Sequence, residues 1–386
     1  MRFRFQYRRY RLPFRVTVRT AHGLWVEREG ILVRLEDAGD DARGTVSFGE
    51  AAPIPWFGTE TVAGVEEGCR ALGEWIEDTA FQQVPKELRT LRCALASARG
   101  EQRGAGDDDD ENDGARRGSF SSNGRRARPF HRTLSVAALL PAGRAAVAQI
   151  GPKAEIGFRV FKWKVGVGAL ADELALLDDV CAELPSGAKL RLDANGAWER
   201  RQAERWLERC ADRPVEFIEQ PIAPGARGAD DLLLGLAGDY PTPIALDESL
   251  VGDDDVEKWL AAGWPGVFVV KPSLFGDPET TLARLERGNA RVVFSAALET
   301  AVGARAALRL AFAWKGERVA VKAKEALKTD AGNVEPEAES WRPRALGFGV
   351  WPLFADPKFD GPAAAPFIRY DDVERLDAES LWNALS

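Results

Sequence analysis

The sequence predicts an α/β fold: a (β/α)8-type TIM barrel with an α+β N-terminal capping domain. Three observations carry this. From residue 133 onward, short apolar β-type runs alternate with helical stretches. The runs stay apolar through their length, as strands of a parallel sheet buried on both faces do. The third observation is spacing. Eight such runs fall within roughly 220 residues, which suits a closed barrel better than an open sheet.

The elements follow in order. Residues 1–100 read as the α+β capping domain. RFRFQYRRY alternates with period two, Gly30–Leu35 reads as a second strand and Gly44–Glu50 as a third, with helical character over 61–80 and 85–99. Two loops stand out, one from Thr20 to Trp25 and one, aromatic and rich in Pro and Gly, from Ala51 to Gly58. Such a loop is either a lid over a site or a connector packed on a neighbouring domain. His22 alone reads as a surface or structural histidine. Residues 101–130 hold Gly, Ser, Asp and Arg with almost no apolar residues, so a disordered acidic and Gly-rich insertion is expected there. The run Asp107–Asp110 reads as solvated charge rather than a cation site, since no fold fixes the ligands. The barrel spans 131–354. Its strands are expected at Thr133–Leu140, Phe158–Val167, Lys189–Asn195, Glu216–Pro221, Pro243–Ser249, Gly266–Ser273, Arg291–Leu298 and Gly347–Leu353. Helices are expected at 141–150, 169–184, 198–211, 229–238, 252–262, 277–288 and 301–314. The charged stretch 315–345 reads as surface helix plus loop. Residues 355–386 are expected to pack back on the capping domain.

Composition excludes several roles. A net charge of −8 gives a nucleic-acid partner no electrostatic support. No apolar run approaches a membrane span, and the basic N-terminus lacks the apolar core of a secretory signal. The four cysteines are scattered without CxxC spacing, as free thiols of a reducing, cytoplasmic compartment would be.

The charged residues of the strands fall near their C-terminal ends. Lys164, Asp193, Glu219, Asp247, Lys271 and Glu299 follow one another at intervals of 24–29 residues, one βα repeat each. That phasing gathers them at the barrel mouth, where barrel active sites lie. Lys162 stands two residues before Lys164, on the same strand face. Asp193, Glu219 and Asp247 would repel one another unless a cation sat between them. Three carboxylates with no phased His or Cys favour Mg²⁺ over zinc. Lysines on either side of a metal-bound carboxylate substrate suit proton abstraction α to that carboxylate, the metal stabilising the enediolate.

At these residues the chain resembles the enolase superfamily, and within it the muconate-lactonising subgroup. The strings FKWKVGV, LRLDANGAW, FIEQPI, IALDESL, VVKPSLFG, FSAALETAVG and GFGVWPLFADP carry the resemblance. It implies Asp193, Glu219 and Asp247 as ligands of Mg²⁺, with Mn²⁺ as a substitute. It implies Lys164 as the base of a one-base syn dehydration that also assists loss of the hydroxyl as the conjugate acid. Lys271 would stay protonated on the opposite face. Lys162 would support Lys164, Asn195 would order Asp193, Glu248 would stand behind the ligands, and Ser295 would contact the substrate. The implied substrate is a small hydroxycyclohexadiene carboxylate on the way to menaquinone or phylloquinone. The loops at His22–Trp25 and Pro53–Gly58 would close over it.

The same residue set is shared by racemases of N-succinylamino acids and by dipeptide epimerases, which use the two lysines as opposed acid and base. Dipeptide epimerases usually carry a DxD motif near the last strands. Ala296-Ala297-Leu298-Glu299-Thr300 stands there instead, which leans toward the dehydrating branch. An inactive barrel serving as a binding protein is a third reading, which the intact set of charges opposes.

Overall fold

A computed structural model describes residues 2–20, 23–38, 45–104, 129–320, 339–363 and 365–385. The chain opens on two long antiparallel strands, β1 (Arg2–Thr20) and β2 (Gly23–Asp37). With β3 (Val46–Ala51) and β4 (Trp75–Glu77) they form a four-stranded sheet in the order β3-β2-β1-β4. Period-two alternation gives this sheet two apolar faces. Phe3, Phe5, Ile31, Val33 and Leu35 form a core with residues of helices α1 (Val62–Leu72) and α3 (Arg89–Gly104). Tyr10, Leu12, Phe14, Leu32 and Phe48 belong instead to the barrel's core. The sheet is thus held against the barrel by its own second face.

The stretch 61–80, expected to have helical character, is helical only over part of its length. Gly73, at φ +74°, ends α1, and β4 intervenes before the short α2 (Ala80–Gln83). The sheet approaches α3 closely at Gly49, where a Cβ would stand 2.0 Å from the Ala94 carbonyl oxygen.

The one run expected at Thr133–Leu140 forms two short pieces: β5 (Thr133–Ser135), which lies outside the barrel sheet, and β6 (Ala138–Leu140), the first barrel strand. Six further parallel strands follow, each after a helix: β7 (Val160–Lys164), β8 (Lys189–Asp193), β9 (Val215–Glu219), β10 (Ile244–Leu246), β11 (Val267–Val270) and β12 (Arg291–Phe294). The helices are α4 (Ala145–Glu155), α5 (Leu170–Glu183), α6 (Arg200–Cys210), α7 (Ala229–Asp239), α8 (Asp253–Ala261) and α9 (Pro278–Arg287), with α10 (Ala301–Ala313) after β12. The sheet runs from β6 to β12 in chain order, seven strands in all. The expected eighth strand, Gly347–Leu353, does not form. Leu346 makes a parallel bridge to Val136 and Gly347 one to Ser295, and these two residues close the barrel. Pro352 interrupts the run and removes a ladder donor, which is why no strand extends through it.

Alternation decides what the barrel encloses. Phe161, Trp163, Leu190, Leu192, Ile218, Leu246, Phe268, Val270 and Phe294 lie in the large core shared with the helices. Phe217, Ala245, Val267, Val269 and Val293 form a separate cluster that fills the barrel. By parity, Lys162, Lys164, Asp193, Glu219, Asp247, Lys271 and Ser295 project to the interior side.

The stretch 315–345 was expected to hold a helix. Its described ends are strands, β13 (Glu317–Ala320) and β14 (Glu339–Arg342), paired antiparallel. Residues 321–338 lie outside the described residues, as do His22 and 105–128, including Asp107–Asp110. The C-terminal segment pairs β15 (Phe367–Arg369) with β5. Its helices α11 (Tyr370–Glu374) and α12 (Ala378–Ala384) reach both α10 and the sheet. Arg309 bonds Glu374 at 2.8 Å, and the Trp382 ring lies 6.0 Å from Phe48 with the Arg8 guanidinium 4.5 Å above it. All four cysteines are free.

Replacing Gly49 with alanine tests the sheet–helix contact. Backbone rather than a flexible side chain meets the new Cβ, so a loss of about 2–4 kcal/mol is expected in denaturant unfolding.

Candidate active site

Strand register brings the charges together. Lys164 pairs with Asp193 across β7 and β8, and Asp193 with Glu219 across β8 and β9. Asp247 and Lys271 follow directly on β10 and β11. Lys162 Nζ lies 2.9 Å from Asp193 Oδ2 and 2.7 Å from Glu219 Oε1. Lys271 is in contact with Asp247. Two ammonium groups thus hold all three carboxylates, and Glu219, Asp247 and Lys271 are buried. Burial works against the Lys162 charge, but Asp193 and Glu219 outweigh it and raise its pKa above the usual lysine value. Burial raises the Glu219 carboxyl. Burial also pulls Lys271 down to about 7, Glu219 acting in the opposite sense.

The residues flanking this cluster make a second set of contacts. Asn195 follows β8 at φ +44°. Its Nδ2 donates to Glu248 Oε1 at 3.0 Å, and its backbone N–H to Asp193 Oδ1 at 3.3 Å. Burial, with Asp193 adding to it, lifts Glu248 to about 7. Ser295 Oγ donates to the Gly347 carbonyl at 3.3 Å, at the seam where the barrel closes. The structure therefore brings Lys162, Lys271, Asp193, Glu219 and Asp247 into one charged cluster, and joins Asn195 and Glu248 to it.

Several organising residues carried no role in the sequence reading. Gln220, at φ +39°, is wholly buried. Its Oε1 accepts from the backbone N–H of Asp247 (2.9 Å) and Ser249 (3.1 Å). Its Nε2 donates to Ser249 Oγ and the Ile222 carbonyl. One amide thus fixes the ends of both strands that carry Glu219 and Asp247. Glu173, on α5, accepts from the backbone N–H groups of Gly166, Val167 and Gly168 at 2.8–3.0 Å, and so fixes the turn just after Lys164. The signal for it was faint: a Gly-rich turn leaves amides unpaired, and a nearby acid can take them. Phe57 was legible only as part of an aromatic loop. Its ring centroid stands 4.7 Å from Lys271 Nζ, so the loop Pro53–Gly58 does lie over the cluster. Trp25 and Trp56 meet edge to face at 4.6 Å beside it.

Glu299, phased with the ring, has a different place. It accepts from the Ala297 N–H at 2.5 Å and its other oxygen is buried. Its neighbour Thr300 donates to Glu50 of β3, whose carboxylate also accepts from Tyr10 and from the Gly303 N–H. Glu299 is thus turned to the seam between sheet and barrel.

The donor set suits a hard divalent cation: three carboxylates, Glu219 and Asp247 buried and Asp193 partly so, with no His and no Cys. Among the described residues no group of three or more such side chains stands ready as a cage, because Lys162 and Lys271 draw the carboxylates onto themselves. Among the described residues no helix is long and apolar enough to cross a membrane.

Residues 145–351 match the enolase C-terminal domain-like family. The chain is 38% identical to an o-succinylbenzoate synthase of Thermosynechococcus vestitus, over 97% of this chain and 99% of that one. A crystal structure of the o-succinylbenzoate synthase from Thermosynechococcus elongatus BP-1, with Mg in its active site, superposes with a TM-score of 0.73 at 34% identity, covering 99% of both chains. The L-Ala-D/L-Glu epimerase of Bacillus subtilis shares the fold, with a TM-score of 0.66 at 19% identity over 80% of this chain and 86% of that one.

Burial lifts Glu299 from 4.5 to about 7, with Glu50 adding to the rise and Arg28 opposing it. A carboxyl raised in the folded state stabilises fully below its unfolded pKa and loses that contribution as pH rises through the folded one. Thermal unfolding should therefore show Glu299→Gln gaining on the parent between about pH 4.5 and pH 7, with a ceiling of roughly 3 kcal/mol. Parallel curves for the two proteins would contradict this.

Proposed function

Because the chain belongs to the o-succinylbenzoate synthases, hydro-lyases of the enolase superfamily, we propose that the lysine–carboxylate cluster is its active site. The family's reaction converts 2-succinyl-6-hydroxy-2,4-cyclohexadiene-1-carboxylate to 2-succinylbenzoate and water. In this reading residues 1–100 cap the site, 131–354 form the catalytic barrel, and 355–386 tie the two together. The observation that carries the assignment is the convergence of Lys162, Lys271, Asp193, Glu219 and Asp247 at one buried mouth.

Asp193, Glu219 and Asp247 would hold Mg²⁺, or Mn²⁺ in its place. When bound, the cation supplies a positive charge facing the substrate carboxylate, where negative charge develops as the α-proton leaves. Lys164 takes that proton. As an ammonium it then returns it to the departing hydroxyl on the same face, which makes the elimination syn. Lys271 stands across the mouth, with β8, β9 and β10 between its strand and that of Lys164. It stays protonated there: the dianionic substrate offsets the burial that lowers it. Lys162 keeps its charge beside the ligands. Gln220 and Glu173 hold the strand ends, and Phe57 with the rest of its loop excludes water. Ser295 meets the succinyl arm. Asn195 and Glu248 orient Asp193. The partner is this small carboxylate, in the cytoplasm, in quinone biosynthesis.

A second activity is favoured by the placement of Lys164 and Lys271 on opposite sides of the mouth. Opposed lysines can take a proton from one face of an N-succinylamino acid and return it on the other. Incubation with such a compound in D₂O would show α-deuterium incorporation with inversion. Retention without exchange would remove this reading.

Lys164→Ala and Lys271→Ala should each lower kcat for the dehydration by at least about 10³-fold with the fold intact by circular dichroism. Wild-type rates in either variant would end the mechanism. Metal-stripped enzyme should be inactive and recover with Mg²⁺. In calorimetric titration Asp247→Asn should bind Mg²⁺ at least about tenfold more weakly.

A further inference from the structure

Arg28 of β2 is 1% exposed, and its hydrogen bonds end on main-chain carbonyls rather than on a carboxylate. Two of those carbonyls belong to the start of the loop over the site: Pro53, at 2.7 Å, and Ala52. Two belong to the turn after β12: Ala297 at 3.3 Å and Leu298 at 3.2 Å. A fifth bond reaches the Glu29 carbonyl at 3.2 Å. The guanidinium also lies 5.1 Å from the Trp25 ring, which in turn meets Trp56 of the loop.

Both segments it joins border the charged cluster. The 52–58 loop places Phe57 on Lys271. The turn after β12 begins directly beyond the inward-facing Ser295 and contains Leu298 at φ +58°. That conformation is strained for a branched side chain and persists only where its surroundings enforce it. The Leu298 carbonyl is enforced by Arg28, and the turn's far side by Glu50, which accepts from Thr300. A planar fork with five donors is suited to hold several fixed carbonyls at once, which an ammonium cannot do.

From this we infer that Arg28 is a positioning residue that locks the 52–58 loop and the 296–300 turn into one rigid wall of the substrate pocket. It touches no reacting atom. Its effect is on the population of the closed pocket, so it acts on substrate capture more than on the chemical step. The inference rests on the proposed site, since it is that site's wall which Arg28 assembles.

The full-length enzyme with Mg²⁺ is assayed as Arg28→Met and Arg28→Lys, alongside amide hydrogen exchange. Arg28→Met should raise KM at least about tenfold and change kcat by no more than about threefold, since loss of a closed population weakens binding without altering the bound chemistry. Arg28→Lys should fall between Met and the parent. In both variants exchange should quicken at 52–58 and 296–300 while β7–β11 keep their parent rates. A parent-like KM in Arg28→Met overturns the inference. So does faster exchange spread over all strands, which marks general destabilisation. If Arg28→Met does not fold, the Arg28→Lys variant decides by the same two measurements. If the parent enzyme fails to turn over the cyclohexadiene substrate, the proposed function falls, whereas the exchange pattern still decides the clamp.

Discussion

The charges at the barrel mouth constrain everything around them. Three carboxylates and two lysines meet where water is largely excluded. Such a cluster is stable only when every member keeps its counter-charge, because removing one partner leaves an uncompensated buried ion. The strands must therefore arrive in one register, and register depends on the packing of their other faces. Trp163, Leu192, Ile218 and Leu246 alternate with the charged residues and lock into the helix layer. A slip by one residue would drive lysine and carboxylate side chains into that apolar layer. The outer core thus sets the geometry of the inner charges.

The N-terminal sheet contributes differently. It supplies no member of the ring, yet it reaches the ring's edge through Phe57 and through the buried polar seam of Arg28, Glu50 and Tyr10. Buried polar groups of this kind stabilise only when fully paired, and so admit one docking geometry. An apolar interface alone would allow the sheet to slide. The seam fixes where the sheet sits, and with it where the loop above the charged cluster lies.

Much of this was legible in the chain. Repeat-phased charges are a long-range signal, and Lys164, Asp193, Glu219, Asp247 and Lys271 could be read as one mouth without coordinates. Helices 169–184 and 301–314 were visible to within a residue or two, since their apolar periodicity is strong. Gln220, Glu173 and Arg28 were not, because each works through main-chain amides or carbonyls. Main-chain groups are the same at every position, so no residue pattern marks which of them a side chain will meet. The strand expected at Gly347–Leu353 failed for the opposite reason. Its apolar residues are real core residues, but they belong to a stretch that packs without pairing.

That closing stave has a further consequence. Among the described residues, only Leu346 and Gly347 complete the cylinder, through the Ser135, Ala137, Phe294 and Ala296 main chain. A contact of two residues demands no particular length from the chain that leads to it. Between α10 and this point the backbone leaves the barrel through β13 and returns through β14, paired with each other. Their pairing brings the two ends together before the seam is made. Lengthening the excursion between them adds only a logarithmic closure entropy. The barrel can therefore tolerate wide variation in that connection while its mouth stays unchanged, and the fold gains a site for insertions at its last joint.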